Sequence, residues 1–247
     1  MDRFLYVAMT GASELQLAQA VTNNNLANAS TTGFKATLTS ALDVPIEGPG
    51  HADARVYSVT AGQGIDLTPG GIVQTGHELD IAVDGDGWIA VQAPDGSEAY
   101  TRAGDLKIDA NGLLTTRSGE PVLGEGGPIA ISQYQSIEIG RDGTISIRPL
   151  GQEASVLSVV DRIRLVSAPA TDLVRGTDGL MRVVEGSAAV PDARIKVVSR
   201  SLESSNVNVV GAMVEMITQA RAYEMQIKML GTAESIDQSS QQLLALR

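Results

Sequence analysis

The sequence predicts a mainly β protein with long terminal α-helices: a central antiparallel β domain, plus a discontinuous helical domain formed by the N- and C-terminal segments. Two observations carry this. Apolar residues recur at three- and four-residue spacing at both chain ends, whereas the middle is cut into short β-prone runs by Asp-Gly and Asn-Gly pairs.

At the N-terminus, Phe4, Val7, Ala8, Ala12, Leu15, Ala18, Val21 and Leu26 keep a helical period and predict a helix over roughly residues 3 to 28. Thr31-Thr32-Gly33 marks its expected end, because glycine readily takes the left-handed backbone that stops helices. Asn23, Asn24 and Asn25 are poor helix formers, but their amides both donate and accept. That capacity fits them to satisfy backbone ends at a junction.

Residues 36 to 75 carry Pro45, Pro49, Pro69 and six glycines without a sustained apolar period, so an extended or loosely hairpinned connector is expected. From 76 to 200 the pairs Asp95-Gly96, Asn111-Gly112, Asp142-Gly143 and Asp178-Gly179 supply turn residues that tolerate positive φ. The β-prone runs are Asp80 to Val83, Trp88 to Gln92, Ala99 to Arg102, Ile129 to Ile131, Ile137 to Ile139, Thr144 to Ile147 and Arg162 to Val166.

In the last segment, 201 to 247, the residues Val209, Met213, Met216, Ala220, Tyr223, Ile227 and Leu230 alternate steps of four and three. This heptad-like seam predicts a coiled-coil-like helix over about 208 to 245, capped by Ser205, Asn206 or Asn208 and pairing with residues 1 to 35.

Composition narrows the function. With 247 residues and 43% hydrophobic content the chain can bury a sizeable core, and its net charge of -11 argues against broad binding to nucleic acid or anionic lipid. Cysteine is absent, which excludes disulfides, thiolate metal sites and cysteine nucleophiles. The apolar run Phe4 to Met9 is too short for a secretory core, and no run reaches the roughly 18 to 20 apolar residues a membrane span needs. A chain of this kind that leaves the cytoplasm is expected to do so without an ordinary signal peptide or membrane insertion.

Chemical motifs are weak. Asp84-Gly85-Asp86-Gly87 resembles the start of a calcium loop, but the following Trp88 to Val91 forms a strand where ligands would be needed. Gly124-Glu125-Gly126-Gly127 lacks the Lys-Ser/Thr and the helix of a phosphate loop, and reads as a turn. His51 and His77 are the only histidines and nothing predicts that they converge; Asp105 and Asp109 read as surface charge among 29 acids. No catalytic, cofactor or metal site is expected, and the chain does not read as an enzyme. A calcium-dependent extracytoplasmic binding domain or hydrolase is the reading of another class.

Two separated motifs carry a resemblance. Asn24-Asn25-Leu26-Ala27-Asn28 with Thr32-Gly33-Phe34-Lys35, and Leu202-Glu203-Ser204-Ser205-Asn206-Val207 with Arg221-Ala222-Tyr223-Glu224, resemble the rod and hook axial proteins of the bacterial flagellum. The stretch "ELDIAVDGDGWIAVQAPDGSEAYTRAGDLKIDANG" is similar to their shared β domain. Trp88, Gly104-Asp105-Leu106 and Met225-Gln226-Ile227-Lys228 resemble the proximal rod members more than the distal ones, with a distal rod or hook-type axial subunit as the alternative. The resemblance implies a structural, torque-transmitting subunit of the periplasmic basal-body rod. It implies type III export with an uncleaved N-terminal signal, and partners that are other proximal and distal rod subunits and copies of itself. Asn24, Asn25, Leu26, Met216, Ala220, Tyr223 and Ile227 are the expected assembly residues.

Overall fold

The computed structural model of the chain describes residues 2–45, 56–151, 157–184 and 189–245. It is mainly β, with a long helix at each end, as the sequence predicts. In chain order the elements are α1 (Asp2–Ala27), β1 (Thr37–Pro45), β2 (Val56–Ile65), β3 (Ile72–Gln74), β4 (Ile81–Asp84), β5 (Trp88–Gln92), β6 (Glu98–Thr101), β7 (Leu106–Ile108) and β8 (Leu114–Thr116). There follow β9 (Tyr134–Ile139), β10 (Thr144–Pro149), β11 (Ser158–Arg162), β12 (Leu165–Ser167), β13 (Leu173–Arg175), β14 (Met181–Val183), β15 (Val190–Pro191), β16 (Lys196–Ser199), β17 (Ser201–Glu203) and α2 (Val209–Ala245).

The chain divides into two compact units. The helical unit holds residues 1–29, 36–66 and 207–247; the β unit holds 30–35 and 67–206. In the helical unit, β1 and β2 pair as an antiparallel hairpin with a register shift at Ser40/Ala41. These strands arise where the sequence shows no sustained apolar period, because a hairpin packed by backbone pairing needs little of one.

Among the described residues of the β unit, pairing is antiparallel throughout. A six-stranded sheet runs β13-β14-β6-β5-β12-β15 and a three-stranded sheet runs β11-β10-β9, with the pairs β16-β4, β17-β3 and β7-β8 beside them. The core is aliphatic: Ile81, Ile89, Val91, Leu114, Ile145 and Ile163 are almost wholly buried in one cluster.

The expected turns form as the sequence requires. Gly96, Gly112, Gly143 and Gly179 have φ of 82°, 81°, 84° and 83°. In each, an aspartate accepts from the backbone N–H two residues further on and folds the chain back: Asp95 Oδ1 accepts from Ser97 N, Asp109 from Asn111 N, Asp142 from Thr144 N and Asp178 from Leu180 N. Asp109 is therefore a turn former. Asp105, half-buried at a bridge to Asp80, has its carboxyl pushed up by burial.

Two expected strands come out differently. The run Arg162 to Val166 is broken at Ile163 and Arg164, whose N–H groups donate to Gly143 and Leu123 instead of one sheet partner. Ile129 and Ile131 donate to Val122 and Gly112, so that run lies between segments without forming a strand. Both runs are apolar enough for a strand, but their backbone bonds go to different neighbours.

Candidate assembly site

In the helical unit, α1 and α2 pack antiparallel. Gln219 Nε2 donates to Thr22 Oγ1 at 3.1 Å and Gln16 Nε2 to the Tyr223 hydroxyl at 3.1 Å, while Gly11 lies against the Gln226 amide. Thus falling numbers on α1 meet rising numbers on α2. Ala8 and Ala12 are buried on one side of the seam and Ala212 and Gln219 on the other.

This seam differs from the one predicted. Ala212, Met216, Gln219, Tyr223, Gln226 and Leu230 keep the steps of four and three, so Met216, Tyr223 and Leu230 belong to both readings. Val209, Met213 and Ile227 do not: they are 38%, 49% and 46% exposed. The larger apolar side chains of α2 lie beside the intrachain seam, where Val210, Val214 and Ile217 join them in exposure. Small and polar residues alternate with Met216, Tyr223 and Leu230 in the seam and allow the helices to approach, while a further set of bulky apolar residues is left outside it.

The other expected assembly residues separate in the same way. Asn24 is exposed, and Leu26 and Ala220 are partly so. Asn25 is committed within its own unit: its amide donates to Thr37 O and accepts from Thr37 N, both at 2.8 Å, standing in for a strand partner at the start of β1. Asn28 donates back to Asn24 O at 2.9 Å. At the head of α2, Asn208 is the cap, accepting from Gly211 N at 3.0 Å. Helix α1 stops at Ala27, and Gly33, six residues later, uses its φ of 67° elsewhere.

That use lies in the β unit, where the two sequence motifs meet. Gly33 N donates to Glu203 O at 2.8 Å, and Asn206 N to Phe34 O at 3.3 Å. A side chain on Gly33 would stand 2.2 Å from the Arg102 carbonyl carbon, and one on Gly70 would stand 1.9 Å from Ser204 O. These approaches require glycine. The Glu203 carboxylate, 1% exposed, accepts from Lys35 Nζ at 2.6 Å, Arg102 Nη1 at 3.0 Å and Gly70 N at 2.9 Å. Lys35 Nζ also donates to Thr68 O at 2.9 Å.

Arg102 in turn lies 5.2 Å from the Trp88 ring centre and donates to Gly85 O at 2.7 Å. Arg175 covers the Phe34 ring at 4.6 Å and donates to Lys35 O. The calcium-like stretch is thereby the β4 to β5 turn, in which Gly85 takes a φ of 85° and Asp84 and Asp86 are exposed. The sequence signals the glycines and motif letters of this network, but the partnership of Lys35, Arg102 and Glu203 spans 168 residues and has no local sign. Among the other chemical candidates, His77 is exposed, Gly124 to Gly127 is a turn closed by Gly124 N to Gly127 O at 2.7 Å, and His51 lies outside the described residues. No helix among the described residues is long and apolar enough to cross a membrane.

Three family profiles match. "Flagella basal body rod protein" matches residues 5–35, "Flagellar hook protein FlgE/F/G D1 domain" 82–147, and "Flagellar basal body rod FlgEFG protein C-terminal" 198–243. The boundaries of the first and last enclose the Lys35 and Glu203 motifs respectively. The chain is 42% identical to the flagellar basal-body rod protein FlgF of Escherichia coli strain K12 and 40% identical to that of Salmonella typhimurium, each over 100% of both chains. It is 32% identical to the flagellar basal-body rod protein FlgG of Buchnera aphidicola subsp. Acyrthosiphon pisum, over 97% of this chain and 98% of that one. On these full-length likenesses the chain belongs to the flagellar basal-body rod and hook protein family, on the branch whose members are named FlgF.

Proposed function

We propose that the chain is a structural subunit of the proximal rod of the flagellar basal body, assembling with copies of itself and with other rod subunits and carrying torque through helical stacking. The observation that supports this most directly is the apolar flank of α2, where Val210, Val214 and Ile217 are 72%, 60% and 54% exposed beside a seam already closed within the chain. A helix that keeps its bulky residues outside its own pair is suited to pack against further helices, and open filaments are built from such unlike faces.

Ile227, Ala220 and Asn24 are the expected residues best placed for contact between subunits. Met216, Tyr223 and Asn25 act mainly by shaping the helical unit, and Leu26 stands at its end. The reading includes export by the flagellar type III apparatus without a cleaved signal and a periplasmic site of assembly. The test is a pair of variants, Val214→Asp and Ile227→Asp, in the full chain. Either should block rod assembly and motility by placing a charge in a packed interface, while the thermal midpoint of the β unit stays unchanged. Normal rods in both variants would overturn the reading.

The full-length similarity to a FlgG protein supports a distal rod subunit as the second reading. The two part in a deletion strain: one trapped before distal rod addition supports the proximal reading, whereas complete rods lacking only a hook would refute it.

A further inference from the structure

We propose that Glu203 is a latch that seats the incoming segment of the β unit, residues 30–35, against its outgoing segment, residues 201–206, and that charge rather than packing holds it. The two segments meet in the β unit only through the fold. Lys35 and Glu203 stand 168 positions apart, yet the carboxylate takes Lys35 on one oxygen and Arg102 on the other. The incoming backbone is threaded between Arg102, which Gly33 touches, and Glu203, whose carbonyl accepts the Gly33 N–H. On the other side, Gly70 and Thr68 close over Glu203 and Lys35. Asn206 Nδ2 adds a bond to Thr68 O at 3.1 Å.

Gly33, Phe34 and Lys35 thus each have a partner in residues 201–206, and Arg175 adds a contact to the Phe34 ring and a bond to Lys35 O. Strand pairs β3·β17 and β4·β16 repeat the same arrangement, joining the first strands of the unit to its last. The aliphatic core, by contrast, is built from strands between Ile81 and Val197 and does not use residues 30–35. The latch therefore opens with the core intact. A chain made or delivered from its N-terminus keeps residues 30–35 unseated until Glu203 arrives. This does not rest on the rod reading, and it is tested apart from motility.

The electrostatics give a test that packing does not mimic. Glu203→Gln leaves the Lys35 and Arg102 cations close together without the carboxylate between them, in a site where both are nearly fully buried. Lys35→Met leaves the Arg102 and Glu203 pair intact. In the double variant Lys35→Met/Glu203→Gln the two cations no longer face each other, so seating should recover relative to Glu203→Gln alone.

Amide exchange in the full chain reads this directly. In Glu203→Gln the Gly33 and Gly70 amides should exchange at least about a hundredfold faster, while those of Ile89 and Val91 change less than about twofold. Lys35→Met should give a smaller increase, and the double variant should fall between the two. A double variant at least as open as Glu203→Gln would show that packing, not charge, holds the segment and would overturn the proposal. So would loss of protection at Ile89 and Val91 together with Gly33, because the segment would then be inseparable from the core.

Discussion

Glycine is used in this chain for two physical purposes, and single residues distinguish them. Gly96 has a φ of 82° with open space around it, so Gly96→Ala meets only the backbone cost of about 1–2 kcal/mol. Gly33 has a φ of 67° and would also drive a Cβ to 2.2 Å from Arg102 backbone, so Gly33→Ala should cost clearly more, about 2–4 kcal/mol. Urea midpoints of the two variants check the order; equal midpoints would refute it. The sequence marks both as turn glycines and cannot rank them, because the atoms that crowd Gly33 are 69 positions away in the chain. Glu203 is similar. Burial pushes its carboxyl up, but the bond from Lys35, the Gly70 N–H and the charges of Arg102 and Lys35 outweigh this and hold it below its usual 4.5. A carboxylate depressed by folding contributes stability that is complete above the unfolded value and is lost as pH falls through the folded one. The wild-type chain should therefore lose urea resistance on acidification below about pH 4.5, and Glu203→Gln should show a smaller loss over that interval. Parallel pH profiles for the two proteins would contradict the assignment.

At the level of elements, the helices and turns are the most legible parts and the face of α2 is the least. The predicted helices over roughly 3 to 28 and about 208 to 245 are observed as Asp2–Ala27 and Val209–Ala245, because period and capping are local properties. The seam keeps Met216, Tyr223 and Leu230 but shifts by one position elsewhere, because bulky apolar residues set the expectation and here Ala212 and Gln219 are buried and Gln226 partly buried instead of Met213, Ala220 and Ile227. Gln219 carries the sharpest consequence. It is 9% exposed and donates to Thr22 Oγ1, itself buried, and to Glu215 Oε1, both at 3.1 Å. Removing one partner leaves a polar group unmatched in the seam, whereas removing both leaves an apolar contact. Gln219→Leu and Thr22→Val should each destabilise the helical unit, and the double variant should cost less than their sum by about 1 kcal/mol. Thermal melts followed by helix ellipticity measure the cycle, and strict additivity would show that the bond does not couple α1 to α2. Asn25 tests the hairpin in the same unit: Asn25→Ala removes two bonds to Thr37 and should cost about 1–3 kcal/mol.

Across the whole molecule the two units are held by different means, and this sets the order in which they unfold. The β unit buries Ile81, Ile89, Val91, Leu114, Val122 and Ile145 to 0% exposure, apolar side chains that make the hydrophobic contribution to folding large. Among its described residues, the buried positions of the helical unit are mostly small or polar, Ala8, Ala12, Thr22, Ala212 and Gln219 beside Val21, while Val210, Val214 and Ile217 are exposed. Cohesion through the described residues of this unit is correspondingly low, and the exposed apolar side chains of α2 remain available for burial. A cooperative single transition requires comparable, coupled units; two units of unequal cohesion unfold in sequence. The chain supplies its own probe of the difference, since its one tryptophan, Trp88, is 5% exposed and lies in the β unit, while both long helices lie in the other. In urea, helix ellipticity should fall first and Trp88 fluorescence should change at a higher concentration. Val214→Asp should leave both midpoints nearly in place in the isolated chain, because that side chain is already solvent-exposed there. Mixing the wild-type chain with its assembly partners should move the helical transition toward the Trp88 transition, since partners that bind only the folded helices stabilise them in proportion to their concentration. Coincident midpoints in the isolated wild-type chain would mean that the helical unit is already complete, and would remove the physical motive for assembly through α2.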